Sequence, residues 1–152
     1  MVTPKMLDSA CSIERTLGVL GERWTFLILR EALAGTTRFA QFREALGVAP
    51  DVLTARLNTL VDYGVMAREP YQEPGSRPRD AYRLTDSGRE LILVLAALQQ
   101  WGDLHLPWPA GPSIQRRVRA TGRPVQVGFV DENGREVAPA DIAMIRTAAY
   151  PS

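Results

Sequence analysis

The stretch "LGVAPDVLTARLNTL", residues 46–60, decides how the chain is read. Leu53, Leu57 and Leu60 recur at intervals of four and three, which places them on one side of a helix, facing a core. Asp51, Ala55, Asn58 and Thr59 fall on the opposite side, with Thr54 and Arg56 on its flanks. Pro50 suits a first helical turn, where its missing N–H costs nothing, and Gly64 suits a left-handed stop, so the helix runs from about Pro50 to Tyr63. Its polar side carries one cation, Arg56, against one acid, Asp51. That is a thin charge for a surface meant to meet nucleic acid, so the surroundings have to explain it.

Toward the N-terminus, Phe39, Phe42, Ala45 and Leu46 recur at three- and four-residue intervals and predict a short helix ending at Gly47. Before it, "CSIERTLGVLGERWTFLILREALAG" places Ile13, Leu17 and Leu20 at helical spacing, is interrupted near Gly21, and resumes with Trp24, Leu27, Ile28 and Ala32. Two helices are expected there. Leu53, Leu57 and Leu60 are expected to bury against Leu27, Phe42 and Leu46.

Toward the C-terminus the period changes. "VMAREPY" (65–71) and "AYRLT" (81–85) alternate apolar and polar residues around "QEPGSRPRD", all turn formers and charges, which predicts a hairpin with a long tip. A long helix is expected from Asp86 to about His105, capped by Thr85. "PWPAGP" (107–112) breaks it. Beyond lie "PVQVGFV" and "REVAPADIAMIRT" around "DENG", which predict a small β-rich appendage packed around Val125, Val127, Phe129, Val137 and Ile142.

Helices followed by a two-stranded wing is the winged helix-turn-helix order, with the helix ending at Gly47, the turn to Pro50 and the helix of residues 50–63 as the bihelical unit. The fold class is therefore α+β, mainly α. Small side chains let a helix enter the major groove; Arg can pair with guanine, Asn with adenine, and Thr or Ala can touch the thymine methyl. At the hairpin tip, Arg77 and Arg79 stand beside Pro74, Gly75 and Pro78, which suits a stiffened wing that enters a minor groove or clamps phosphates. The candidate DNA-contacting set is Arg38, Pro50, Asp51, Thr54, Ala55, Arg56, Asn58 and Thr59, with Ser76, Arg77 and Arg79 from the wing at 72–80.

With these motifs in place, "CSIERTLGVLGERWTFLILREALAGTTRFAQFREALGVAPDVLTARLNTLVDYGVMAREPY" followed by "YRLTDSGREL" closely resembles the HxlR-type winged helix-turn-helix transcriptional regulators, relatives of the MarR group, over about residues 11–105. The resemblance implies a dimeric bacterial regulator that binds a pseudo-palindromic operator, with helix 50–63 as reader. In some members a cysteine at the matching place senses electrophiles or oxidants, which makes Cys11 a candidate redox sensor. No Lys, Arg or His adjoins it in sequence, although Arg15 is one helical turn away, and a semi-buried packing cysteine is the alternative. Some two-domain relatives carry Cys pairs after the winged domain; residues 116–147 contain none.

Dimerisation has its own signal. "LILVLAAL" (91–98) is apolar nearly all the way round, more than one side of a small domain can cover, and a second subunit would cover it together with the helix bearing Ile13 and Leu17. The expected organisation is a DNA-binding and dimerisation domain at 1–106, a linker at 107–115 and the appendage at 116–152. Trp24, Tyr63, Trp101 and Trp108 are candidates to line a pocket for a small-molecule effector.

Composition bounds the rest. The chain has 152 residues, 45% hydrophobic and 23% charged, enough for one core and a small appendage. Net charge is +1, so the balance by itself points to no partner, but the basic stretches "SRPRDAYR" (76–83) and "RRVRATGR" (116–123) are local. The arginines of the second, Arg116, Arg117, Arg119 and Arg123, are expected to be solvated or to dock the appendage. A single cysteine precludes an internal disulfide, and Cys11 with His105 cannot make a closed structural zinc site, so no metal or cofactor is expected. No glycine-rich phosphate loop is present, Lys5 is the only lysine and His105 the only histidine, which argues against an enzyme. No apolar run reaches 18 residues and no secretion signal is seen, so a cytoplasmic protein without a membrane span is expected. A winged helix that binds proteins, or a ligand sensor without sequence-specific DNA readout, is the competing class.

Overall fold

The computed structural model describes residues 4–150. After a four-residue helix α1 (Pro4–Leu7), which the sequence pattern did not predict, come α2 (Ser12–Leu20), α3 (Arg23–Leu33), α4 (Phe39–Leu46) and α5 (Pro50–Asp62). The hairpin is β1 (Met66–Tyr71) and β2 (Arg79–Leu84), followed by α6 (Asp86–Glu90) and α7 (Ile92–His105). Two short strands, β3 (Phe129–Val130) and β4 (Glu136–Val137), and a single 3₁₀ turn at Pro139–Asp141 complete it. The chain forms two compact units, one reaching to Ile92 and taking in Ala149 and Tyr150, the other Leu93–Ala148.

In the first unit α5 lies at the centre of the core. Its Leu53, Leu57 and Leu60 are wholly buried with Phe42 of α4 and Ile28 and Leu29 of α3. Each such side chain contributes about 1.5–3 kcal/mol by leaving water. Leu27 and Leu46, expected in this core, are only half-buried. The inward face of α3 is instead Thr25, Ile28 and Leu29, at helical spacings of three and four, which turns Leu27 toward the side. Gly47 at φ +61° ends α4 and Gly64 at φ +68° follows α5, both in the left-handed region that a side chain resists.

The β1–β2 ladder is antiparallel, pairing Met66 with Leu84 and Tyr71 with Arg79. A bridge between Arg38 and Ala81 adds a rudimentary third strand, supported by the Tyr82 N–H donating to the Thr37 carbonyl at 2.7 Å. The wing is thereby fastened to the start of α4. At its root Thr85 caps α6, its hydroxyl accepting from the Gly88 N–H at 3.2 Å and donating to the Gly64 carbonyl at 2.6 Å. The single long helix expected from Asp86 to His105 is broken: Leu91 lies outside both α6 and α7.

The second unit is less enclosed than expected. Val125, Phe129 and Ile142 are exposed, while Val127 and Val137 are half-buried. Strands of two residues present too little face to enclose a core. Side-chain amides of α7 hold the segment in their place. The Gln100 amide donates to the Val127 carbonyl at 3.0 Å and accepts from the Val127 N–H at 2.9 Å, as a neighbouring strand would. Gln99 donates to the Ile114 carbonyl at 2.7 Å and accepts from Arg116. No helix among the described residues is long and apolar enough to cross a membrane.

Candidate nucleic-acid interface

Because α5 buries its leucines against α3 and α4, its other side is presented outward: Pro50, Asp51, Thr54 and Ala55 are exposed, Asn58 and Thr59 half-exposed. The two threonines are locally committed. Thr54 donates its hydroxyl proton to the Pro50 carbonyl at 2.8 Å and Thr59 to that of Ala55 at 3.0 Å. Each therefore offers outward a methyl group and an oxygen able to accept, with its proton used within the helix.

Arg56 differs from the sequence expectation. Its side chain is 14% exposed and lies 3.6 Å from the carboxylate of Glu22, the residue preceding α3. The structure thus does not bring it onto the outward face. Its guanidinium sits between α5 and the start of α3, within ion-pair distance of that acid. Arg68 of β1, which sequence reasoning missed, donates to Oδ1 of Asn58 and fixes the amide. Nothing in the local pattern of either segment signals this pairing, since it needs the strand to fold back beside the helix.

On the wing, Arg77 and Arg79 are exposed, and their side chains have no ion-pair or hydrogen-bond partner among the described residues. Ser76 is half-buried; its N–H donates to the Glu73 carbonyl at 3.0 Å and its carbonyl accepts from Gln72 at 3.1 Å, closing the tip. Gly75, at φ +76°, makes the turn. Arg38 is placed on the wing as well: it pairs with Glu73 and lies over the Tyr71 ring at 4.8 Å. Tyr71 and Glu73, both missed from sequence, make Arg38 a brace of the tip end of the wing rather than an uncommitted cation.

Cys11 precedes α2 as a half-buried free thiol. The neighbouring Arg15 donates to the Ser9 carbonyl at 2.6 Å and to the Ser12 hydroxyl at 3.0 Å. Of the four aromatics considered for a pocket, Tyr63 lines an open cavity of about 340 Å³. Trp24 is not in its lining and lies instead under the Arg23 guanidinium at 4.8 Å. Trp101 and Trp108 belong to the second unit and are exposed there, Trp101 resting on His105 with ring centres 4.9 Å apart.

These features agree with known proteins. The family model described as HxlR-like helix-turn-helix matches residues 19–108. Rv3095 of Mycobacterium tuberculosis, named as an HTH-type transcriptional regulator, is 45% identical over 111 residues, covering 73% of this chain and 69% of that one. Among solved structures, PA1607 superposes with a TM-score of 0.80 at 36% identity, over 94% of this chain and 99% of that one. The redox regulator HypR, in its reduced form, superposes with a TM-score of 0.57 at 29% identity, over 63% and 94%. A helix-turn-helix of this geometry, followed by an arginine-tipped wing and matched over more than half its length, belongs to the HxlR-like family of DNA-binding transcriptional regulators, not of enzymes.

Proposed function

We propose that the protein acts in the cytoplasm as a homodimeric regulator that reads a pseudo-palindromic operator. α5 reads base edges with Thr54, Ala55, Asn58 and Thr59, and the wing holds the backbone or minor groove with Arg77 and Arg79. The observation that carries the reading is the contrast between these arginines, exposed and unpaired at the wing tip, and Arg56 and Arg38, each already paired with a carboxylate. Phosphate attraction is assigned to the wing, and α5 is left with short groups suited to close approach in the major groove.

Functionally α7 belongs with residues 1–106. Its outer stripe of Leu93, Val94, Ala97, Leu98, Trp101 and Leu104 is exposed in the single chain. A second copy, related by a two-fold axis, covers it in this proposal and sets the two reading helices about 34–36 Å apart, one turn of duplex. Residues 107–115 serve as the link to the appendage at 116–152. Regulation enters through a small molecule or through the Cys11 thiol, the latter supported by the similarity to HypR.

Selection of bound duplexes from a random pool, followed by titration at several salt concentrations, tests the DNA reading. A common motif with two inverted half-sites and an affinity falling steeply with salt is expected. A protein that enriches no motif would refute it. Arg77→Ala with Arg79→Ala should weaken binding to every sequence by about ten- to a hundredfold, with a salt slope shallower by about 0.9 for each phosphate left unneutralised. Unchanged affinity and slope would remove the wing from the interface.

Asn58→Ala should act differently, relaxing the preference at one position of each half-site at about 1–3 kcal/mol for each base-edge interaction removed. Arg68→Ala, which frees the Asn58 amide without removing it, is expected to blur the same position with a smaller drop in total affinity. If the two variants alter preferences at different positions, the Asn58–Arg68 pair is not a reading unit. Binding-site selection with each variant decides this.

A further inference from the structure

The cavity beside Tyr63 has a composition and a position that the DNA-reading surface does not use. Its walls are mostly apolar, with Leu7 of α1, Val19 and Leu20 of α2, Val65 and Leu91 beside the hydroxyl-bearing Thr16 and Ser87, and its charged lining group is Arg15. At about 340 Å³ it falls at the small end of the range for small-molecule sites, roughly 300–1,000 Å³, which suits one or two fused rings. Arg15 has no carboxylate partner among the described residues: it donates to the Ser9 carbonyl and the Ser12 hydroxyl, which hold the guanidinium by two of its five N–H groups. A cation held by two hydrogen bonds, with free donors, in the lining of a mostly apolar cavity is complementary to a planar organic anion.

The position couples the cavity to DNA reading. Tyr63 is the C-terminal cap of α5, and its N–H donates to the Thr59 carbonyl at 3.1 Å. Val65 leads into β1, its N–H donating to the Leu60 carbonyl at 2.8 Å and its carbonyl accepting from Thr85. One occupant would therefore touch the end of the reading helix and the root of the wing together.

We infer that this cavity is the effector site, that its ligand is a small aromatic carboxylate held by Arg15, and that occupancy stiffens the α5–β1 junction. The inference rests on the regulator reading for its biological meaning, but its test needs no DNA. Calorimetry with 2-naphthoate and its uncharged amide, 2-naphthamide, measures the charge preference directly. The acid is expected to bind the wild-type protein at least tenfold more tightly than the amide. Arg15→Gln should remove that preference while leaving the amide's affinity within about twofold, which a collapsed or misfolded cavity would not do. Hydrogen exchange at the Tyr63, Gly64 and Val65 amides should slow at least fivefold on saturation with the acid.

Equal affinity of acid and amide, a preference that survives Arg15→Gln, or unchanged exchange at the junction overturns the inference. So does an absence of any heat at millimolar ligand, the result expected if a second subunit fills the cavity. Failure to select an operator leaves these readouts intact and refutes only the DNA reading.

Discussion

Replacing Leu93 and Leu98 together by glutamate is expected to convert the protein to a monomer and to lower operator affinity by at least about a hundredfold. Both side chains are exposed in the single chain, at 65% and 53%, so their replacement removes no internal packing of consequence. They lie on the outer stripe of α7 with Val94, Trp101 and Leu104, all exposed, and a run of exposed apolar side chains on one helix face is the kind of surface that marks an interaction site. Placing carboxylates there sets like charges facing each other across a two-fold axis in a desolvated interface.

The size of the DNA effect follows from charge. Residues 1–110 hold 12 basic against 13 acidic side chains, so one winged unit has little general attraction for phosphate, and in the proposed dimer its binding would depend on simultaneous engagement of the second unit. Linking two weak half-site interactions multiplies affinity by about 10²–10⁴, and separation of the subunits forfeits that factor. Light scattering and operator titration check the result, with circular dichroism confirming that the subunit stays folded. A variant that remains dimeric, or a monomer that binds the operator undiminished, would overturn the assignment of α7.

The parts of this molecule that were legible in its sequence are those governed by local chemistry. Leu53, Leu57 and Leu60 had to share a face because of helical geometry, Gly47 and Gly64 suited helix stops because glycine, lacking a Cβ, accepts the positive φ they adopt, and Thr85 had the side chain to cap α6. The alternation in 65–71 and 81–85 likewise foretold the wing. The fates of long cationic side chains were not legible. Whether Arg56 faces the groove or Glu22, 34 positions earlier, depends on where α3 begins relative to α5, and the braces of Arg38 by Glu73 and Asn58 by Arg68 depend on the fold of the hairpin.

The appendage failed as a packed hairpin for a related reason. Its valines and Phe129 carry β propensity, but the ladder pairs only two residues on each strand, and Gln99 and Gln100 of α7 supply the hydrogen bonds that a third strand would have made. Propensity without enough paired length leaves apolar side chains in solvent.

Gly88→Ala is expected to destabilise the winged unit by about 3 kcal/mol or more, because the junction has no room for a methyl group. A β-carbon built on Gly88 would stand 2.1 Å from the Val65 carbonyl oxygen and 3.1 Å from a Leu84 methyl. The first neighbour is backbone and cannot swing aside as a side chain would. That carbonyl accepts from the Thr85 N–H at 3.1 Å, so displacing it disturbs the cap of α6 and the start of β1 at once. Ser87→Ala, which removes a 3.2 Å hydrogen bond to the Gly64 carbonyl and a longer 3.4 Å contact with the Thr85 hydroxyl and introduces no clash, should cost only about 1 kcal/mol. At roughly 4–8 °C per kcal/mol for a domain of this size, Gly88→Ala should melt at least about 12 °C below wild type and Ser87→Ala only a few degrees below. Equal melting temperatures for Gly88→Ala and wild type would mean that α6 can withdraw from β1 freely, and the wing would then lack a rigid root from which to hold Arg77 and Arg79 against DNA.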